Sequence, residues 1–226
     1  MSTIVSNIAG YLSRDVESLD VISQNVANMR TTGYRTARLR ADFGVASGAS
    51  AGHTLSLKDG SIDVTGGALD LAIEGNGFFV VSTEAGERLT RNGQLHVDAQ
   101  GILVDSLGRQ VLGDSGPIAL DSGAVNIGND GTISSAGQEV ARLRIVGVAS
   151  SDGLQALGDG LYAYSGTPAD WNGSLHQGAL ERSNVDPGVE MVRLMELTRH
   201  AQSIQHALQA YDAAMQNGIS HLGDNT

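Results

Sequence analysis

Six histidines, 25 acidic residues and a run of arginines are the side chains of this sequence that could carry chemistry. Glu196 and His200 stand at i and i+4 on one helical face, but His206 follows six residues later on another. No HExxH or His-x-His spacing occurs, and two ligands do not make a closed metal site. Gly75-Asn76-Gly77 is a GxG without the third glycine and without a following helix, both of which a dinucleotide site needs, so it reads as a turn. No GxSxG or SxxK is present. There is no cysteine, which removes thiol nucleophiles, Cys-ligated zinc and disulfides. Many acids sit beside turn glycines, where Asp bonds its own backbone, and no carboxylate pair stands out for acid–base work. Asn172-Gly173-Ser174 matches a glycosylation sequon and reads equally well as an Asn-Gly turn. Arg30, Arg35, Arg38 and Arg40 form the one basic patch. With a single lysine and no interleaved aromatics, they read as charges that meet acidic neighbours where a helix ends. The expectation is no catalytic residue, no cofactor and no metal.

The elements that hold these residues follow from hydrophobic spacing. Val5, Ile8, Leu12, Asp15, Leu19, Ile22, Val26 and Met29 step alternately by three and four, with Asp15 alone breaking the apolar set. Such a narrow stripe is the seam of a coiled coil. The helix should stop at Thr31-Thr32-Gly33, where glycine can turn left-handed. The signature returns in Leu194, Leu197, Ala201, Ile204, Leu208, Tyr211, Met215, Gly218 and Leu222. Asp186 is placed to cap this second helix, Pro187 to open it, and Glu190 to sit in its first turn.

Between the helices the period changes to two. Asp59-Gly60, Asn76-Gly77, Asn92-Gly93, Asp130-Gly131, Asp152-Gly153, Asp159-Gly160 and Asn172-Gly173 are hairpin-type dipeptides. They separate strand-like runs at 68–73, 78–82, 94–97, 102–104, 125–127 and 143–148. Without a helical crossover these strands must pair antiparallel. Residues 44–54 are small and polar and read as a flexible loop. The expected fold is α+β, mainly β: an N-terminal coiled-coil helix (1–33), a linker (34–58), an inserted antiparallel β domain (59–182) and a C-terminal coiled-coil helix (183–226).

Composition narrows the function. The 226 residues are 41% hydrophobic and 17% charged, enough for a packed core. Thirty glycines, nearly twice the usual ~7%, and nine aromatics favour many turns over a core of stacked rings. Net charge is −11, and residues 1–44 carry five arginines against four acids, so the remainder carries −12. A nucleic-acid binder needs the opposite sign. The N-terminus lacks the cationic start, apolar stretch and cleavage site of a signal peptide, and no apolar run is long enough to span a membrane.

Four blocks in order carry a resemblance. Ser23 to Arg35 holds Asn25, Ala27, Asn28, Thr31, Thr32, Gly33 and Tyr34, and is similar to the N-terminal signature of flagellar basal-body rod and hook proteins. The segment 67–79, with Asp70, Gly75, Gly77 and Phe78, resembles that family's "LDLAI-x-G-x-GFF" strand and turn. Arg91 and Gly93 match its "TR-x-G", and Glu181, Ser183 and Asn184 its "G-x-LE-x-SNV". Length and the segment 129–134 place the chain with the shorter proximal-rod members, distal members second. At Arg199-His200-Ala201 it departs from relatives, which usually carry an aromatic soon after the arginine.

The resemblance implies a structural subunit of a hollow rod that crosses the bacterial periplasm and transmits torque. Terminal helices would line the inner wall, and the β domain would face outward. Partners would be copies of the chain, other rod proteins and the flagellar type III export apparatus, with no nucleic acid and no membrane insertion. Assembly would rest on Val5, Ile8, Leu12, Leu19, Ile22, Val26, Met29, Leu194, Leu197, Ile204, Leu208, Tyr211 and Met215, since exposed seams favour head-to-tail growth. A secreted β-domain adhesion module on a helical stalk, and a periplasmic hydrolase, are the competing classes.

Overall fold

A computed structural model describes residues 2–40, 52–120 and 123–223, with side chains described from 6 to 216 within those ranges. Helix α1 spans Ser2–Ala27 and helix α2 Pro187–Gly223, and everything between them is strand and turn. Every strand pair among the described residues is antiparallel. The chain is therefore mainly β with a helix at each end, and the two helices pack on each other.

A five-stranded sheet forms the centre, in the order Ile145–Gly147, Gly77–Thr83, Gly86–Thr90, Leu161–Tyr164, Leu154–Gly158. Its strand Gly77–Thr83 is buried on both faces, which is why its sequence is a continuous apolar run rather than an alternation. Phe79 and Val81 point into one core with Leu71, Ile73, Leu103 and Ile133. Phe78 and Val80 point into the other, with Leu89, Val148, Tyr162 and also Val21 of α1. Helix α1 thus docks on the β body through its last turns.

Two of the seven turn dipeptides, Asp130-Gly131 and Asp159-Gly160, join strands that pair with each other, whereas the other five connect strands that pair elsewhere and are not hairpins. Asp159 and Gly160 both have positive φ, 51° and 69°, and join two neighbouring strands of the central sheet, the geometry that a two-residue hairpin needs. The linker contains more order than its composition suggests: Ala37–Leu39 pairs with His53–Leu55. The expected flexible loop at 44–54 therefore ends earlier, because His53 and Thr54 are already in a ladder; its residues 44–51 lie outside the described residues.

The signals for α2 hold with one change of role, whereas α1 ends at Ala27, before the expected stop at Thr31-Thr32-Gly33, and the turns of residues 28–33 follow it. Asp186 Oδ1 accepts from Gly188 N (2.8 Å) and Val189 N (3.2 Å), capping α2, and Pro187 opens it. Glu190 is fully buried instead of facing solvent at the helix start. Its carboxylate takes Arg38 (2.5 Å) and the Asn25 amide (3.4 Å), so partners from other elements, beyond the helix dipole, hold it.

Candidate functional site at the helix junction

Where both helices meet the β body, residues from five separated segments form a buried charged knot. The first segment follows α1. Asn25, on its last full turn, is completely buried. Its Nδ2 donates to Ala37 O (3.0 Å) and to Glu190 Oε2 (3.4 Å), and its Oδ1 accepts from Ala37 N (2.9 Å) and the Tyr34 hydroxyl (3.2 Å). Two donors and two acceptors are the full capacity of an amide, and all four are used. Asn28 and Thr31 then close the helix end through a 3.1 Å side-chain bond. Ala27 is exposed and Thr32 half-buried beside them. Gly33 follows at φ +68°, its N–H donating to Glu181 O (2.8 Å). A Cβ there would stand 2.4 Å from the Arg91 carbonyl, so the chain can pass only as glycine.

At the centre lie Arg35 and Arg91, each almost without solvent exposure. Arg35 Nη2 reaches Asp59 Oδ1 (3.1 Å) and Glu181 Oε1 (3.1 Å), and Nη1 donates to Lys58 O. Arg91 reaches Asp59 Oδ1 (3.0 Å) and Glu181 Oε2 (3.2 Å), and donates to Ile73 O (2.8 Å) and Gly75 O. Its guanidinium lies 5.1 Å over the Phe78 ring, a cation–π contact. Glu181 accepts from Gly60 N (2.8 Å), and Asp59 from Gly75 N (2.8 Å). Phe78 in turn packs edge-on against Tyr162 at 5.6 Å, and the Tyr162 hydroxyl accepts from Arg35 N (3.1 Å).

Burial dominates the electrostatics. It lowers Arg91 to about 10, helped by the like charge of Arg35 and opposed by Glu181 and Asp59. It raises Tyr162 to about 12. Two cations and two anions so placed hold one another; removing one would strand the rest in a dry site.

The last segment ties α2 in. Asn184 Oδ1 accepts from Thr36 N (2.7 Å) and Thr36 Oγ1 (2.6 Å), while its Nδ2 donates to Ser56 O (3.2 Å) and Lys58 O (2.6 Å). Ser183 Oγ accepts from Val185 N (3.3 Å). Gly93 lies against the neighbouring strand, where a Cβ would fall 1.7 Å from Leu71 O. Gly77 is buried at the start of the strand carrying Phe78. Asp70 stands outside the knot and locks a turn, its Oδ2 accepting from Thr65 Oγ1 (2.5 Å).

Three arginines of the patch meet acidic partners, as their setting suggested: Arg35 as above, Arg38 with Glu190, and Arg40 with Asp152 at 3.7 Å; Arg30, exposed just after α1, stands apart from them. Asp59 and Glu190 complete the site, although the sequence marked them only as a turn acid and a helix-start acid. Nothing in it pointed to this role except that buried arginines require carboxylates from elsewhere.

Along the helices, Leu197, Ala201, Ile204, Leu208, Tyr211 and Met215 are half-buried at steps of three and four. On α1, Ile8, Asp15 and Ile22 are covered, while Leu12, Leu19 and Val26 are exposed, as is Met29, which falls in the turn after the helix. Leu194 is 36% exposed, and Met191, Val192 and Met195 beside it more so. Val5, Gly218 and Leu222 lie outside the described side chains.

One surface group has the residue types of a nucleophile triad. His176 Nε2 is 3.0 Å from Glu74 Oε2 and 3.2 Å from Ser174 Oγ, while Ser174 is itself 2.9 Å from Glu74. A triad needs opposite ring nitrogens for acid and nucleophile; here a single nitrogen meets both, and no relay results. Among the described residues no group of three or more His, Asp or Glu is placed to hold a metal.

Known proteins share this arrangement of sequence. The profile described as flagellar hook protein FlgE/F/G D1 domain matches residues 72–135, and that of the flagellar basal body rod FlgEFG protein C-terminal matches residues 176–220. The chain is 32% identical to flagellar basal-body rod protein FlgF of Caulobacter vibrioides, with 91% of each chain covered. It is also 32% identical to flagellar basal-body rod protein FlgG of Bacillus subtilis, covering 97% of this chain and 98% of the relative. FlgF of Escherichia coli is 29% identical over 94% of this chain and 95% of its own. With two relatives above 30% identity along nearly its whole length, this chain belongs to the flagellar hook and basal-body rod protein family.

Proposed function

We propose that the chain is a structural subunit of the bacterial flagellar basal-body rod, assembling with copies of itself and with other rod proteins. One observation carries this beyond the family match: Asn25, Gly33, Arg91, Glu181 and Asn184, from three of the four family blocks, converge on a joint and not on a cleft that could hold substrate. A joint in which buried arginines and carboxylates form ion pairs between helices and body is suited to carrying load, although Arg35 Nε, Arg91 Nε and Glu181 Oε2 have no hydrogen-bond partner among the described residues. The helices act as the coiled-coil module that lines the rod, and the body at 59–182 faces outward. The exposed α1 residues Leu12, Leu19 and Val26, with Met29 just beyond the helix and Leu194 of α2, meet neighbouring subunits; Ile8, Ile22, Leu197, Ile204, Leu208, Tyr211 and Met215 hold the helix pair together. Torque passes from helix to body through the knot. The subunit reaches the rod through the flagellar export apparatus. It is not an enzyme, and it does not insert in the membrane; no described helix is long and apolar enough to cross one.

Within the rod the chain fits the shorter, proximal members. The alignment with the Caulobacter FlgF runs over 224 positions and covers 91% of this chain, so about 18 positions of that relative have no counterpart here. That with the Bacillus FlgG runs over 261, so at least 35 positions of that relative have no counterpart here. Purified basal bodies probed with an antibody to this chain test the proposal. Labelling confined to the rod nearest the export apparatus is expected. Its absence from basal bodies would overturn the rod assignment, and labelling at the hook end would replace proximal with distal.

A further inference from the structure

Asp15 is the one charged residue in the apolar stripe of α1, and the structure places it against His200 of α2. His200 Nδ1 lies 3.0 and 2.9 Å from the two Asp15 carboxylate oxygens and donates to them. The Tyr11 ring meets the imidazole edge-on at 6.4 Å. The Asp15 side chain is only 14% exposed, so the carboxylate is largely covered by the helix pair, whereas His200 is 52% exposed.

Ten residues nearer the body on each helix stands another polar contact between them, Asn25 with Glu190. Equal steps in opposite directions make the helices antiparallel. They also place the Asp15–His200 contact beyond Val21 and Ile22, where α1 is buried. On the α2 face around His200, Glu196 stands one turn before it and would repel Asp15, and Leu197 and Ile204 give a carboxylate nothing to bond, while Arg199 and Ser203 are exposed.

We infer that Asp15 and His200 form a clasp that closes the helix pair beyond the β body and specifies α2 as the partner of α1. The selectivity comes less from the attraction of a half-exposed ion pair than from the cost of covering Asp15 against any other helix face. The exposed apolar residues Leu12, Val16 and Leu19 on one side and Val192 and Met195 on the other would accept many helices; the clasp accepts one.

Amide exchange of the full-length chain tests this. In the wild type, residues 6–18 are expected to be protected. Asp15→His, which faces imidazole with imidazole, and His200→Asp, which faces acid with acid, should each raise exchange there by about two- to tenfold. Residues 21–25 should be unchanged. The exchanged pair D15H/H200D should restore protection, which a purely local helix effect would not. The apolar pair D15L/H200L keeps the helices intact but removes the choice of partner, so sedimentation should show new self-association. An unprotected segment 6–18 in the wild type, unchanged exchange in both single variants, or no rescue in D15H/H200D would overturn the clasp. Unaltered sedimentation of D15L/H200L would overturn its role in partner choice.

Discussion

The side-chain amide of Asn25 grips Ala37 as a neighbouring strand would, accepting from its N–H at 2.9 Å and donating to its C=O at 3.0 Å. A helix side chain thereby supplies the ladder that the strand Ala37–Leu39 lacks on that edge. Asn25→Asp keeps the acceptor but loses the donor and sets a second carboxylate against buried Glu190. The expected cost is at least about 2 kcal/mol, from an unpaired buried carbonyl plus like-charge contact. Urea unfolding measures it; a loss no larger than that of a surface substitution would show that the grip is dispensable.

Arg91→Ala removes one of the two cations between Glu181 and Asp59 and leaves Ile73 O and Gly75 O without their donor. Breaking a buried ion network from one side typically costs about 3–5 kcal/mol. The urea midpoint should fall accordingly, with the slope unchanged. Arg88→Ala, at the exposed side of the adjacent strand, is the control and should change little.

Tyr162 gives the pH dependence a definite sign. Its hydroxyl is raised from 10 to about 12 by burial, so between these values the folded chain holds a proton that the unfolded chain has released. Stability conferred by that group is intact below pH 10 and declines as pH rises through 12. The difference between wild type and Tyr162→Phe should therefore shrink over this window by up to about 3 kcal/mol. A flat difference, or a wild-type-minus-Tyr162→Phe difference in tyrosinate absorbance that appears near pH 10, would contradict the burial argument.

Leu208→Asp tests the stripe on α2. Leu208 is half-buried on the face turned to α1. A carboxylate there should cost several kcal/mol wherever the position is covered on assembly, typically about 2–5. The expected result is a normally folded β body with loss of rod incorporation and swimming. Cells that still swim would remove Leu208 from the essential contacts.

What could be read from sequence was what repeats or caps. Apolar steps of three and four and the Asp186-Pro187 start located both helices, but of the Asp-Gly and Asn-Gly pairs only Asp130-Gly131 and Asp159-Gly160 marked hairpins, because the other strands pair with partners distant in sequence. The strand His53–Leu55 escaped because its register comes from Ala37–Leu39 across a long loop, and neither run alternates strongly. The knot escaped for a related reason. Glu190 has the position of a helix-start acid and Asp59 of a turn acid, and only the three-dimensional approach of Arg38, Arg35 and Arg91 gives them other work. Asp15 was visible as an exception in its stripe, but its partner lies 185 residues away.

The distances in sequence across the knot have a consequence for how the chain comes into being. Arg35 and Arg91 wait for Glu181, and Asn25 waits for Glu190, so no earlier stretch completes the joint. A chain that emerges from its first residue has made about four-fifths of its length before α1 can be fastened. Contacts of such high order close late and all at once. Until then the first helix remains a marginal, unanchored segment, and the same residues that make the finished joint stiff set the moment at which it becomes so.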